Sequence, residues 1–395
     1  MTDHATKPAV SQQWHREANV VFDEEVAAMD RWRDPDTGML VIRMTTLPYV
    51  NTHIYPETPI SSPDGRYFVW QRANPLLGES HFWIADTQTL RIRQITDEVG
   101  AGSPVYPPDG SCLYYSVGRD VYRMDATTFT RRKLWTIPEA IGSVGAIRTI
   151  SADGKRGVFA HRRAGEGENG ASMIDLETGD AKRIVELPDC LNAHVQCCRK
   201  PGSDLISIQV NDGIERDAAG NITRLIGDDG ASLWLCRDDG SDLTKLNVGS
   251  SPLEHVQGHQ CWLGQTERKI TTMHRREKVS DPWMQDRIAV SGAGDETYDI
   301  VGEGEGFTHI HTTLDGRFWV ADCNRTSRVF VGSVKTGRYR LFVNTGATFG
   351  AHQSTHPHPF FLGDDRQIGW NSDVTGIPHI YFAAIPDGWM EELEA

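Results

Sequence analysis

From Gly38 to the C-terminus the chain is a succession of short runs in which apolar and polar residues alternate, each run cut by an Asp-Gly, Pro-Asp-Gly or Thr-Gly turn. Alternation with a period of two is what a half-buried β-strand requires, because successive side chains leave opposite faces of the pleat. Residues 14–33 have another texture. There Val20, Val21, Phe22, Val26, Met29 and Trp32 are spaced among charged residues so as to permit a short amphipathic helix. The pattern predicts a partly helical N-terminal extension, residues 1–37, followed by one all-β domain over residues 38–395.

The β runs repeat. Ser62-Pro-Asp-Gly65 precedes Tyr67-Phe-Val-Trp70, Pro107-Pro-Asp-Gly110 precedes Leu113-Tyr-Tyr-Ser116, and Ser151-Ala-Asp-Gly154 precedes Val158-Phe-Ala160. Such turns mark seven units, mostly about 45–50 residues apart, and units of that length with about four short strands predict the blades of a β-propeller. The seventh unit stops after His379-Ile-Tyr-Phe382, one strand short, while an unassigned strand, Gly38-Met-Leu-Val-Ile-Arg-Met-Thr45, precedes the first. Pairing the two would close the ring and hide the edges at the seam. The expectation is a seven-bladed β-propeller whose last blade is closed by an N-terminal strand.

In such a ring each Asp-Gly turn ends the innermost strand of its blade, so residues six to eight places earlier line the central channel. His194 stands eight before Gly202, His259 seven before Thr266 and His309 six before Asp315. His356 and His358 stand eight and six before Asp364, with Gln353 three residues before His356. Pro357 and Pro359 oppose helix and place this last stretch at a strand entrance, where two residues spaced by two leave one face of an extended chain. Taken alone the stretch reads equally as a metal site or a surface His-Pro turn; its level with His309 and His259 favours the metal. His352, next to Gln353, should face the other way. His311 is an alternative ligand, and His53 and Tyr55 reach toward the channel mouth, as substrate contacts or as packing residues.

Composition narrows the partners. A formal charge of −14 and a pI near 5.5 oppose a nucleic-acid or anionic-membrane partner, and an anionic substrate would need a local positive centre, either a bound cation or an Arg. Seven scattered cysteines with no C-x-x-C pair suit a reducing compartment. With neither a signal peptide nor an apolar span in the sequence, a cytoplasmic location is expected.

Three imidazoles and a Gln carbonyl, with no evident carboxylate ligand, suit a first-row divalent ion, Mn, Fe, Ni or Zn, with positions open to substrate oxygen. Acting as a Lewis acid on a carboxylate, such an ion would acidify the neighbouring carbon. His259, one blade away, is placed to take that proton; its other readings are a fourth nitrogen ligand or a packed core His. The reaction class this favours is β-elimination on a uronic acid.

At this point the chain resembles the oligogalacturonate lyases, cytoplasmic seven-bladed propellers that degrade short pectin fragments with a manganese-type cation. The resemblance rests on Gln353-Ser-Thr-His-Pro-His-Pro-Phe360 with Asp364-Asp-Arg-Gln-Ile368 and Asn371-Ser-Asp373, and on the spacing from His309 to Gly316. Gly258-His-Gln-Cys-Trp262 is similar to the family's His-Glu-Phe-Trp segment, whose His is the base, and weaker matches reach back to Asp36-Thr-Gly38 and His53. It implies Mn2+ held by His309, Gln353, His356 and His358, C5 proton removal by His259 and a substrate contact at His194. The implied substrate is a small anionic oligosaccharide, an oligogalacturonide or related oligouronide, cleaved to a 4,5-unsaturated product.

Two departures stand out. Where the family has an Arg before the Met-Trp of the fourth blade, Ala231-Ser-Leu-Trp234 puts Ser232, which cannot make a charged bidentate contact. Ala193-His-Val-Gln-Cys-Cys-Arg199 replaces the family's Gly-His-Pro-Ile-Tyr-Arg, keeping His194 but losing its companions. Arg216 or Arg224, in the insert of the fourth unit, are candidates to compensate. The missing Arg keeps two alternatives in play: a metal-dependent hydrolase or isomerase of another acidic sugar, and a non-catalytic binding propeller.

Overall fold

The Asp-x-x-Thr pattern at the outer hairpins shows how local sequence builds each blade. The Asp86 carboxylate accepts the backbone N–H of Gln88 and Thr89, Asp125 those of Thr127 and Thr128, and Asp175 those of Glu177 and Thr178. One carboxylate thus satisfies two turn donors and fixes the reversal between the third and fourth strands. A computed structural model describes residues 30–395 apart from 54, 75, 163–167, 189, 191, 219–221, 284 and 305, together with Glu24 and Glu25.

The strands form a seven-bladed β-propeller, as expected. In blade 6 the order outward from the channel is Phe307–Thr312, Phe318–Cys323, Arg328–Ser333 and Tyr339–Asn344, all antiparallel. Blade 5 repeats the scheme with Glu254–Trp262, Arg268–Arg275, Gln285–Gly292 and Asp299–Glu303. Blade 4 carries an extra exposed hairpin, Glu215–Arg216 with Ile222–Arg224, in its long insert. Trp70, Trp262, Trp319 and Trp370 are among the largest fully buried side chains. Their apolar area, removed from water, is what holds sheet to sheet.

Blade 7 is built from both ends of the chain. Phe360–Phe361, Gln367–Ser372 and His379–Ala384 are continued by Leu40–Arg43, with Val41 opposite Ala383 and Ile42 opposite Phe382. The strand Arg31–Arg33 then adds a fifth member. The amphipathic stretch 14–33 lies mostly outside the described residues; where it is described, at Glu24–Glu25 and Arg31–Arg33, it is strand and not helix. Its charged residues pair along sheet edges, Glu24 and Glu25 against Ile92 and Arg91. All seven cysteines are buried free thiols, and among the described residues no helix is long and apolar enough to cross a membrane.

Candidate metal centre and active site

Two inner strands depart from regular pairing at their histidines. In blade 5 the register slips between Val256 and Gln260, around Gly258 at φ +82°, and in blade 6 between Phe307 and Ile310. Such bulges twist a strand and re-aim its side chains. The carbonyls they release find hydroxyl donors: Thr272 Oγ1 donates to Thr308 O (2.7 Å) and Thr271 Oγ1 to His259 O (3.0 Å). Across the gap Thr308 Oγ1 lies 3.0 Å from His259 Nδ1, and the His259 and His309 rings stand 4.2 Å apart.

His309, His356 and His358 converge, with one ring nitrogen of each within 4.8 Å of the others. Each ring has one nitrogen committed to an acceptor. His309 Nδ1 donates to Asp322 Oδ2 (2.9 Å), His356 Nε2 to Gly350 O (2.9 Å) and His358 Nε2 to Gln353 Oε1 (3.0 Å). The remaining nitrogens, His309 Nε2, His356 Nδ1 and His358 Nδ1, are buried without a partner. Three converging rings, each with one nitrogen anchored and the other buried without a partner, fit a divalent ion. Gln353 adds a neutral oxygen at the edge of the cluster, on the short 3-10 turn Gln353–Thr355.

The geometry corrects one expectation. His356 and His358 do not share one face of an extended strand, because His358 has φ +47° and turns the chain. A left-handed non-Gly residue is strained, and here it is clamped on both sides. Its N–H donates to Asp322 Oδ2 (3.1 Å) and its carbonyl accepts from His53 Nε2. His53 is buried against Phe360 and its N–H donates to Asn371 Oδ1 (3.1 Å), so it positions His358 rather than meeting substrate. Burial lowers the His53 pKa to about 4 and keeps it neutral.

Asp322 was invisible as a site residue in the sequence. It is fully buried on the second strand of blade 6 and also accepts the His309 N–H (2.8 Å). Burial pushes its carboxyl up to about 7, against the pull of the two backbone donors. Burial and the neighbouring His309 hold His259 well below the usual imidazole range, in the neutral form a base requires.

Tyr55 stands at the centre, its ring 4.7 Å from His194, 5.1 Å from His358, 6.0 Å from His309 and 6.3 Å from His259. Burial raises its hydroxyl to about 12, so it keeps its proton. His194 is buried with Nδ1 2.6 Å from Glu57 Oε1. Glu57, also buried, is a second carboxylate that sequence spacing did not reveal.

Two expected residues fall away. His311 has both nitrogens occupied, Nδ1 accepting the Phe361 N–H (3.2 Å) and Nε2 facing Arg199 Nη2 (3.0 Å), which removes it from the ligand set. Ser232 lies on the third strand of blade 4, buried, with Oγ accepting from Trp234 Nε1 (3.1 Å). Two strands separate it from the channel, so it is not a substrate contact.

No protein-family model matches the chain. It is 23% identical over 412 aligned positions to an oligogalacturonate lyase of Dickeya dadantii, covering 90% of this chain and 96% of that protein. An oligogalacturonide lyase of Pectobacterium atrosepticum is 21% identical with the same coverage. The chain is similar along most of its length to the oligogalacturonate lyases. The fold agrees. An oligogalacturonate lyase solved in complex with manganese superposes with a TM-score of 0.75 at 19% identity over 91% of this chain and 96% of its own. An oligogalacturonate lyase from Vibrio parahaemolyticus gives 0.72 at 16% identity, over 94% and 100%.

Proposed function

We propose that the protein is a divalent-metal-dependent lyase that cleaves oligogalacturonides or related oligouronides by β-elimination. The observation that carries this reading is the set of three buried, partnerless ring nitrogens beside a neutral His259. His309, His356 and His358 would hold the ion, with Gln353 at its edge, and the manganese in the solved relative makes Mn2+ the first choice. When bound, the ion supplies Lewis acidity to a substrate carboxylate and so acidifies C5.

The chain's own residues do the rest. His259, with Nδ1 held beside Thr308 Oγ1, takes the C5 proton on Nε2. Departure of the C4 oxygen then leaves a 4,5-double bond on one fragment and a free hydroxyl on the other. Tyr55 and His194 line the space in which the sugar would lie, and the buried thiols suit a cytoplasmic enzyme working on imported fragments.

Product masses test the reaction. Elimination yields fragments summing to the substrate mass and a new ultraviolet absorbance, whereas hydrolysis adds one water and no chromophore. The His259→Ala protein should keep its full metal content and lose about 100- to 10,000-fold in kcat. Full activity in that variant would sink the assignment of the base.

A further inference from the structure

An oligouronide carries one carboxylate on every sugar, and the protein that receives it has a net charge of −14. One metal-bound carboxylate leaves the neighbouring ones facing an acidic surface, so a second cationic contact is needed. Most cations around the channel are committed. Arg199 faces His311, Lys269 donates to Gln196 Oε1 (2.7 Å) over the Trp262 ring, and Arg224 pairs with Glu215 and Asp228 on the exposed hairpin.

Arg148 differs. It immediately precedes the inner strand of blade 3, Thr149–Ile150, and its backbone N–H donates to Val158 O (2.9 Å). The guanidinium is half-buried, and among the described residues no side chain or carbonyl accepts from it. It lies close enough to Tyr55 and Glu57 to act on the charge of both. It also lines a cavity of about 310 Å³ between blades 3 and 4, together with Arg162, Asn169, Asn192 and Ala193. That volume is at the small end for a ligand pocket, and its wall residue Ala193 is bonded to His194, whose ring stands against Tyr55.

We propose that this cavity is a subsite for the carboxylate of the sugar next to the one cleaved, with Arg148 as its cationic contact. The proposal rests on the oligouronide reading above. An uncommitted guanidinium at the cavity wall offers two parallel N–H donors to a carboxylate, a contact a hydroxyl such as Ser232 cannot replace. Specificity then extends beyond the scissile bond to at least one neighbouring acidic sugar.

The test compares wild-type protein with Arg148→Gln and Arg148→Lys on digalacturonate and on the same disaccharide methyl-esterified at the sugar that does not donate its C5 proton. A lost charged hydrogen bond predicts a kcat/KM fall of roughly 10- to 100-fold for Arg148→Gln on the free acid, carried by KM. On the ester the change should be under about threefold, and Arg148→Lys should recover part of the loss. Equal losses on acid and ester, or no loss on either, would overturn the subsite. Wild-type protein inactive on every oligouronide would instead count against the reaction. Calorimetric titration with digalacturonate then decides the subsite by itself: weaker binding by Arg148→Gln supports it and equal binding refutes it.

Discussion

At the scale of single residues, the site is organised by groups outside the proposed donor set. Asp322 accepts from the His309 ring, the His309 backbone and the His358 backbone, so one carboxylate sets the tautomer of one ligand and the chain path of another. Replacing it by Asn keeps the shape and loses the charge; metal affinity, measured by competition with a chelating dye, should fall about 10- to 100-fold. The imidazoles could be read from the sequence because distance to a turn fixes height on a channel wall. Asp322, Glu57 and Thr308 could not, since each acquires its meaning from a partner on another strand or another blade. Ser232 shows the converse error: a position matched by motif alone proved to lie two strands behind the wall.

At the scale of elements, two adjacent bulges do what regular strands cannot. They turn His259 and His309 toward each other, and threonines of blade 5 satisfy the carbonyls so released. Gly258 is the pivot. A Cβ there would meet Gln209 Nε2 at 2.8 Å, on a backbone already in the left-handed region. Gly258→Ala should cost about 1–2 kcal/mol in denaturant unfolding and should also lower kcat, because His259 is the next residue. Strand positions and turn chemistry were legible in the period-two pattern, but the bulges were not. The inner strand of blade 6 is buried along its whole length, so an extra residue there interrupts no visible alternation while it re-aims the side chain that matters.

At the scale of the whole molecule, ring closure depends on Leu40–Arg43 meeting His379–Ala384, with Thr45 Oγ1 2.8 Å from His379 Nδ1 at the seam. His379 is held down to about 4 from its ordinary 6.5, first by burial and then by Arg43 and Arg72. Its folded pKa is depressed, so between pH 6.5 and 4 the unfolded chain binds the proton more readily and the fold loses stability as pH falls. The loss should be roughly 1–3 kcal/mol across that window, read by urea unfolding at pH 7 and pH 4.5. His379→Gln should lessen the slope by its own share, the remainder coming from other buried neutral histidines such as His53. An unchanged slope in that variant would place the acid sensitivity elsewhere.

The blade that joins the two ends of the chain is also the blade that follows His356 and His358, while His309 and its Asp322 anchor sit one blade earlier. The proposed donor set is therefore complete only once blade 7 has been made, and that blade is seated by a strand, Leu40–Arg43, that precedes blade 1 in the chain. Capture of the proposed ion would then be a late event that ratifies a finished ring. An ion bridging blades 6 and 7 would in turn act as a rivet across the neighbour of the seam, adding stability that grows with the logarithm of the free ion concentration above its Kd.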